Sequence, residues 1–198
     1  MNLSDLQHYI RIYDDNLEAP LCRQMIESFA ALLRFQRRNG RGVRKGLEES
    51  AWTELNVTSL SDKAFLQMFR MRIDAALDRY NSDVGLQIAL PNSEKTADLV
   101  MKRYRPGSEE RFQVHFDSLN QFATRYLVLL WYLNDVQEGG ETRFPQLDIA
   151  VAPRAGRLLM FPPYWMYQHE GVPPVSGDKY IVSTYLLFTS TPSDPQTL

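Results

Sequence analysis

The chain has little of what staples or anchors a protein. A single cysteine, Cys22, among 198 residues excludes an intrachain disulfide and fits a reducing compartment. No apolar stretch approaches the roughly 20 residues a membrane helix needs; YLVLLWYL at 126–133 is far shorter. The opening MNLSDLQHYIRIYDD has neither a basic start nor an unbroken apolar run, so no signal peptide is expected. A formal charge of only −2 removes any global pull toward nucleic acid or anionic membrane. The expectation is a soluble cytoplasmic protein with no membrane and no DNA partner. Histidine is scarce too, at three in the chain, so the position of each needs a reason.

What is present is core-forming material. With 44% hydrophobic and 12% aromatic residues, the chain can bury a substantial interior, and one domain over 1–198 is the natural prior. Three parts are expected within it: 1–95 with an N-terminal strand, helices and a basic loop, 96–190 as a β core, and 191–198 as a flexible tail. HYIRIYDD reads as the strand. PLCRQMIESFAALLRFQRR follows as a helix with Pro20 in its first turn and Leu21, Met25, Phe29 and Leu32 on one face. A second helix starts near Ser59 and Ser61, where S-L-S-D offers a capping box, and Phe65, Met68, Phe69, Ile73, Leu77 and Tyr80 form its apolar stripe.

Between the helices, Gly40, Gly42 and Gly46 and five basic residues from Arg37 to Lys45 interrupt any period, which predicts a loop. After residue 96, short runs rich in β-branched and aromatic residues alternate with Gly, Pro, Asn and Asp. ADLVMKRY, RFQVHF, YLVLLWYL, ETRF, DIAVA, RLLMF, MYQHE and YIVSTYLLF are eight candidate strands. Eight antiparallel strands in two packed sheets make a jelly roll. The expected class is mainly β with supporting α: a double-stranded β-helix, or cupin-like barrel, braced by two N-terminal helices.

Within RFQVHF, strand periodicity aims His115 and Asp117 to one side and Phe116 to the other. An imidazole beside a carboxylate serves as a structural contact, a general-base pair or two ligands of one metal. His169, at the end of another candidate strand, would complete a two-histidine, one-carboxylate face suited to Fe(II) with open positions opposite. Zinc accepts the same donors and would point to hydrolysis instead.

The order of motifs is more specific than any one of them. RYRPG at 103–107, HFD at 115–117, RYLVLLWYLND from Arg125, EGGETRFP at 138–145, AGRLLMF at 155–161 and HEGVPPVSGDKYIVSTY from His169 together resemble the iron(II)- and 2-oxoglutarate-dependent oxygenases, in particular their prolyl 4-hydroxylase-like branch. The resemblance covers the second half of the chain and, more loosely, the helical first half. It implies His115, Asp117 and His169 as iron ligands. Lys179, ten residues past His169, takes the place of the residue that binds the distal carboxylate of 2-oxoglutarate, with Ser183, Tyr132 and Tyr104 around that cosubstrate. Arg125 matches an arginine facing the substrate, and Trp165 is a candidate wall of the substrate entrance. Gly139 and Gly140 read as turn architecture with positive φ.

The implied cofactors are Fe(II), 2-oxoglutarate and O2, with ascorbate as an accessory reductant. The implied reaction hydroxylates an unactivated C–H bond and releases succinate and CO2; relatives that halogenate lack the carboxylate that Asp117 supplies. A prolyl residue of a peptide or protein is the first candidate substrate, and a free amino acid or other small molecule the alternative. A reading of another class remains beside these: a metal-binding jelly roll without turnover that binds RNA through the 37–45 loop, with Trp52 as a stacking residue.

Overall fold

The computed structural model describes residues 3–92 and 95–188, so the expected tail at 191–198 lies outside the described residues. The architecture is easiest to read from its most apolar strand, β6 (Arg125–Tyr132), where every residue after Arg125 is buried. A strand of that kind must be covered on both faces, and it is. Leu127, Leu129 and Trp131 join one core with the helices, whereas Val128, Leu130 and Tyr132 join a second core that lies on the opposite face. The period of two, invisible in an unbroken apolar run, reappears as alternation between two cores.

Eleven strands are present among the described residues. Besides β6 they are β1 (Arg11–Tyr13), β2 (Arg37–Gly40), β3 (Ala51–Asn56), β4 (Val100–Tyr104), β5 (Phe112–His115), β7 (Thr142–Phe144), β8 (Ile149–Val151), β9 (Leu158–Phe161), β10 (His169–Gly171) and β11 (Lys179–Leu187). One sheet has seven strands in the order β1-β9-β6-β11-β4-β3-β2 and the other four, in the order β5-β10-β7-β8; the strand pairs are antiparallel. Strands lie at all eight places where residues after 96 were expected to form them.

Among the described residues three α-helices accompany the sheets: α1 (Leu3–Gln7), α2 (Ala19–Ala31) and α3 (Lys63–Val84). Cys22, Met25 and Phe29 of α2 and Phe69, Ile73, Leu77 and Tyr80 of α3 bury their side chains in the same core as the outer face of β6. Edge-on aromatic contacts join them, Phe69 to Trp131 and Phe29 to Tyr180, both at 5.7 Å between ring centroids. None of the helices is long and apolar enough to cross a membrane.

The N-terminal half departs from the sequence reading in four places. The strand expected over HYIRIYDD is only Arg11–Tyr13 and follows α1. The helix drawn to residue 38 stops at Ala31, where Leu32 leaves the helical backbone, and the chain turns into β2. The cap of α3 is Asp62, whose carboxylate accepts from the Phe65 N–H at 2.8 Å; Ser59 and Ser61 do not serve. The segment expected to be a loop contains the β2–β3 hairpin, which extends the larger sheet. Sheet pairing of Arg37–Gly40 with Ala51–Glu54 gives the glycine-rich stretch backbone partners that its own pattern does not announce.

Candidate metal centre

His115 closes β5 and His169 opens β10, and the two are register partners across that antiparallel pair. Their rings lie 4.3 Å apart between centroids. Asp117 lies beyond the end of β5, held there by its backbone N–H donating to the Pro163 carbonyl at 3.0 Å. The ligand atoms of the three side chains all fall within 4.8 Å of one another: Nε2 of His115 is 3.6 Å from Asp117 Oδ1, and Nε2 of His169 is 3.5 Å from Asp117 Oδ2.

The hydrogen bonds decide what these atoms offer. Nδ1 of His115 is 2.8 Å from the Gln113 carbonyl, and Nδ1 of His169 is 3.0 Å from the Tyr167 carbonyl. A carbonyl only accepts, so each Nδ1 carries the proton and a neutral ring turns the lone pair of Nε2 inward. Burial pushes the His169 pKa down to about 4, and the neighbouring His115 adds to that, so this ring is neutral at ordinary pH. The Asp117 carboxyl is opposed by burial but held below its usual range by the two histidines and by Tyr185, whose hydroxyl donates to Oδ1 at 2.9 Å. Oδ2 of Asp117 is buried and has no hydrogen-bond partner. Two inward lone pairs and an unsatisfied buried carboxylate oxygen converge on one point, and a cation there satisfies all three.

Two connected spaces meet at this point. A cleft of about 900 Å³ opens outward, bordered by Arg44, Lys45, Leu119, Phe122 and Arg125. A small inner chamber continues past the metal-binding atoms to Thr142, Gly171 and Lys179. Lys179 is only 2% exposed. Its Nζ lies 5.4 Å from the Tyr104 ring and 5.6 Å from the Tyr132 ring, with no carboxylate within 4.0 Å among the described residues. Burial pushes its pKa down to about 7, against the opposing pull of Glu141. An unpaired buried ammonium facing a chamber is a receptor for an anion.

Residues 99–187 match the family described as the 2OG-Fe(II) oxygenase superfamily. The matched residues are 89 of the 198, just under half of the chain. The donor set of the site fits iron(II), and Lys179 at the end of the chamber fits a dicarboxylate, so the superfamily's cofactors, Fe(II), 2-oxoglutarate and O2, match the residues present. Among curated proteins the chain is similar to a probable prolyl 4-hydroxylase of Arabidopsis thaliana, 35% identical over 69 residues, which are 31% of this chain and 23% of that protein. It is also similar to a multifunctional procollagen lysine hydroxylase and glycosyltransferase of Rattus norvegicus, 34% identical over 85 residues, 42% of this chain and 11% of that one. The chain thus spans less than a quarter of the length of either relative. Among solved structures, a prolyl hydroxylase of Trichoplax adhaerens in complex with a peptide fragment of hypoxia inducible factor has the same fold, with a TM-score of 0.70 at 18% identity, covering 93% of this chain and 86% of that one.

Ser183 and Tyr104 line the inner chamber with Lys179, and Arg125 borders the outer cleft. Tyr132 stands behind that lining. Its hydroxyl donates to Thr142 Oγ1 at 2.6 Å, its ring lies 5.6 Å from the Lys179 Nζ, and Thr142 lines the chamber in front of it. Trp165 lines neither space and is 63% exposed, on a short 3-10 turn. Trp52 is 2% exposed, stacked on Phe112 at 4.7 Å with its Nε1–H donating to Glu54; it is not free to stack on a nucleobase. The sequence reading missed Tyr185 and Lys102. The signal for both was parity: Tyr185 shares its strand face with Lys179 and Ser183, and Lys102 shares one with Tyr104.

Proposed function

We propose that this chain is an Fe(II)- and 2-oxoglutarate-dependent hydroxylase acting on a side chain of a peptide or protein, a prolyl residue first. The observation that carries the reading is the unsatisfied Oδ2 of Asp117 facing two inward-turned imidazole nitrogens, at the junction of a wide cleft and a small inner chamber. In this reading His115, Asp117 and His169 hold the iron. Lys179 takes the distal carboxylate of 2-oxoglutarate, with Ser183 and Tyr104 beside it, and Arg125 faces the substrate. The whole chain forms one oxygenase domain, in which the two sheets are the halves of a double-stranded β-helix braced by α2 and α3. When bound, iron and 2-oxoglutarate supply the oxidising power for hydroxylation, with succinate and CO2 as co-products.

The residues of the chain aim and shelter that chemistry. The Tyr185 hydroxyl engages one oxygen of Asp117 and leaves the other for the metal. The Gln113 and Tyr167 carbonyls fix both imidazole tautomers. Phe161, Val128 and Leu130 wall the inner chamber with apolar surface that excludes water. The peptide preference is supported by the peptide complex of the Trichoplax structure and by the prolyl 4-hydroxylase of Arabidopsis.

Anaerobic titration with Fe(II) and then 2-oxoglutarate tests the cofactor pair through the visible charge-transfer band of the chelate. The band should form in the wild type and be lost in Asp117→Ala and weakened in Lys179→Ala. Iron-loaded protein without the band defeats the reading. Succinate release with proline-containing against lysine-containing peptides then tests the choice of side chain.

A further inference from the structure

Lys102, on β4, borders both the outer cleft and the inner chamber, together with the metal-binding His115 and Asp117. It therefore stands at the throat that a substrate must reach. Its Nζ lies over an aromatic floor, 5.7 Å from the Trp52 ring and 5.5 Å from the Phe112 ring. No hydrogen bond and no carboxylate within 4.0 Å engages this ammonium among the described residues. Its register neighbour on β3 is Glu54, but that carboxylate is already used: Oε1 accepts from Asn39 and Oε2 from Trp52, at 2.8 and 2.7 Å. Burial pushes the Lys102 pKa down, with Asp117 and Glu54 opposing.

Arg125 and Asp98, two other charges at the cleft, are engaged by their own neighbours. The Arg125 guanidinium is sandwiched between the rings of Phe122 and Tyr185, at 4.0 and 3.7 Å, and donates to the Asp117 carbonyl. Asp98 accepts from Asn56. Arg44 and Lys45 add positive charge at the cleft. Lys179 lines the inner chamber only, whereas Lys102 faces the outer cleft as well, where an anion other than the one at Lys179 can reach it. Lys102 is half-buried, and a partly desolvated ammonium without a counterion carries a cost that is relieved when a ligand brings one.

We propose that Lys102 is a specificity-determining residue that binds a carboxylate carried by the substrate next to the carbon that is hydroxylated. This rests on the hydroxylase reading and narrows its substrate class. The carboxylate comes from one of two sources, an acidic residue flanking the target in a peptide or the α-carboxylate of a free amino or imino acid. Neutral substrates leave the ammonium uncompensated and bind more weakly.

Calorimetry on protein loaded with Mn(II) and 2-oxoglutarate tests it with matched probes: blocked peptides holding proline or lysine beside aspartate or asparagine, and L-proline against L-prolinamide. The carboxylate member of at least one pair should bind about ten- to a hundredfold tighter than its amide, as expected of a charge-assisted contact. The pair that discriminates identifies the source. Lys102→Met should abolish the preference and Lys102→Arg should retain it, which separates charge recognition from misfolding. Absence of preference in the wild type, or its survival in Lys102→Met, overturns the proposal. So does a Lys102→Met variant that loses 2-oxoglutarate affinity while keeping the probe preference, because the lysine then serves the cosubstrate. If 2-oxoglutarate does not bind the wild type, the hydroxylase reading fails, and the same probe pairs measured with Mn(II) alone still decide whether Lys102 selects carboxylates.

Discussion

Lys179 and Tyr185 show how single side chains set the properties of the site. With its pKa pushed down to about 7, Lys179 is partly deprotonated at pH 8, whereas a bound carboxylate favours the charged form. Binding of 2-oxoglutarate at pH 8 should therefore take up protons, seen by calorimetry as an apparent enthalpy that changes with the buffer, and affinity should fall as pH rises above 7. Lys179→Met should remove both effects. Stability runs the other way. The unfolded lysine holds its proton to about 10.5, so between pH 7 and 10.5 the unfolded chain binds more protons and the stability of the ligand-free protein rises with pH. At pH 6 the Lys179→Met variant should melt no lower than the wild type, since removing an unpaired buried charge is neutral or stabilising by about 1–4 kcal/mol. A drop in melting temperature would show that Lys179 is paired after all. Tyr185→Phe deletes the donor to Asp117 Oδ1 and leaves the ring in place. Chelator competition should show metal affinity reduced about 10- to 100-fold, with the fold unaffected.

At the scale of elements, the site is a junction of strand ends. The antiparallel register of β5 and β10 sets His115 opposite His169, and the register of β11 with β4 sets Lys179 opposite Tyr104. The turn after β6 keeps these strands in place. Gly139 and Gly140 have φ of 73° and 78°, as their pairing in the sequence led one to expect. A Cβ on Gly139 would stand 2.4 Å from the Pro173 carbonyl oxygen, on the segment between β10 and β11. Gly139→Ala should cost more than about 1 kcal/mol through backbone strain and shift the approach to Lys179. Denaturant melts combined with the 2-oxoglutarate dissociation constant check this; a variant unchanged in both would show that the turn adapts freely. Asp62→Ala, which removes the cap of α3, should cost about 1 kcal/mol and leave 2-oxoglutarate affinity unchanged, because α3 packs on the sheet face opposite the site.

For the whole molecule, metal binding and folding are linked, because the unfolded chain does not bring residues 115, 117 and 169 together. Mn(II) at about a hundred times its dissociation constant should add about 2.7 kcal/mol, which for a domain of this size raises the melting temperature by about 5–10 °C. Asp117→Ala should abolish the shift. Stabilisation that persists in that variant would place the ion elsewhere.

Much of this protein was legible in its residues. Periods of two and short apolar runs marked the eight strands after residue 96, because a half-buried strand imposes its alternation on composition. HFD, His169 and Lys179 were legible because strand parity and motif order survive without coordinates. What the sequence could not decide was partnership. The Arg37–Asn56 segment has no period of its own, yet it is a hairpin because an open edge of β4 pairs with it. Trp52 resembles an exposed stacking residue until that hairpin buries it. Asp117 is oriented by a carbonyl from Pro163 and a hydroxyl from Tyr185, contacts spanning long stretches of chain that leave no local trace. Local steric and hydrophobic rules fix which residues can be strand or ligand. Which strand end meets which, and which buried charge is left without a partner, is decided only when the two sheets close on each other.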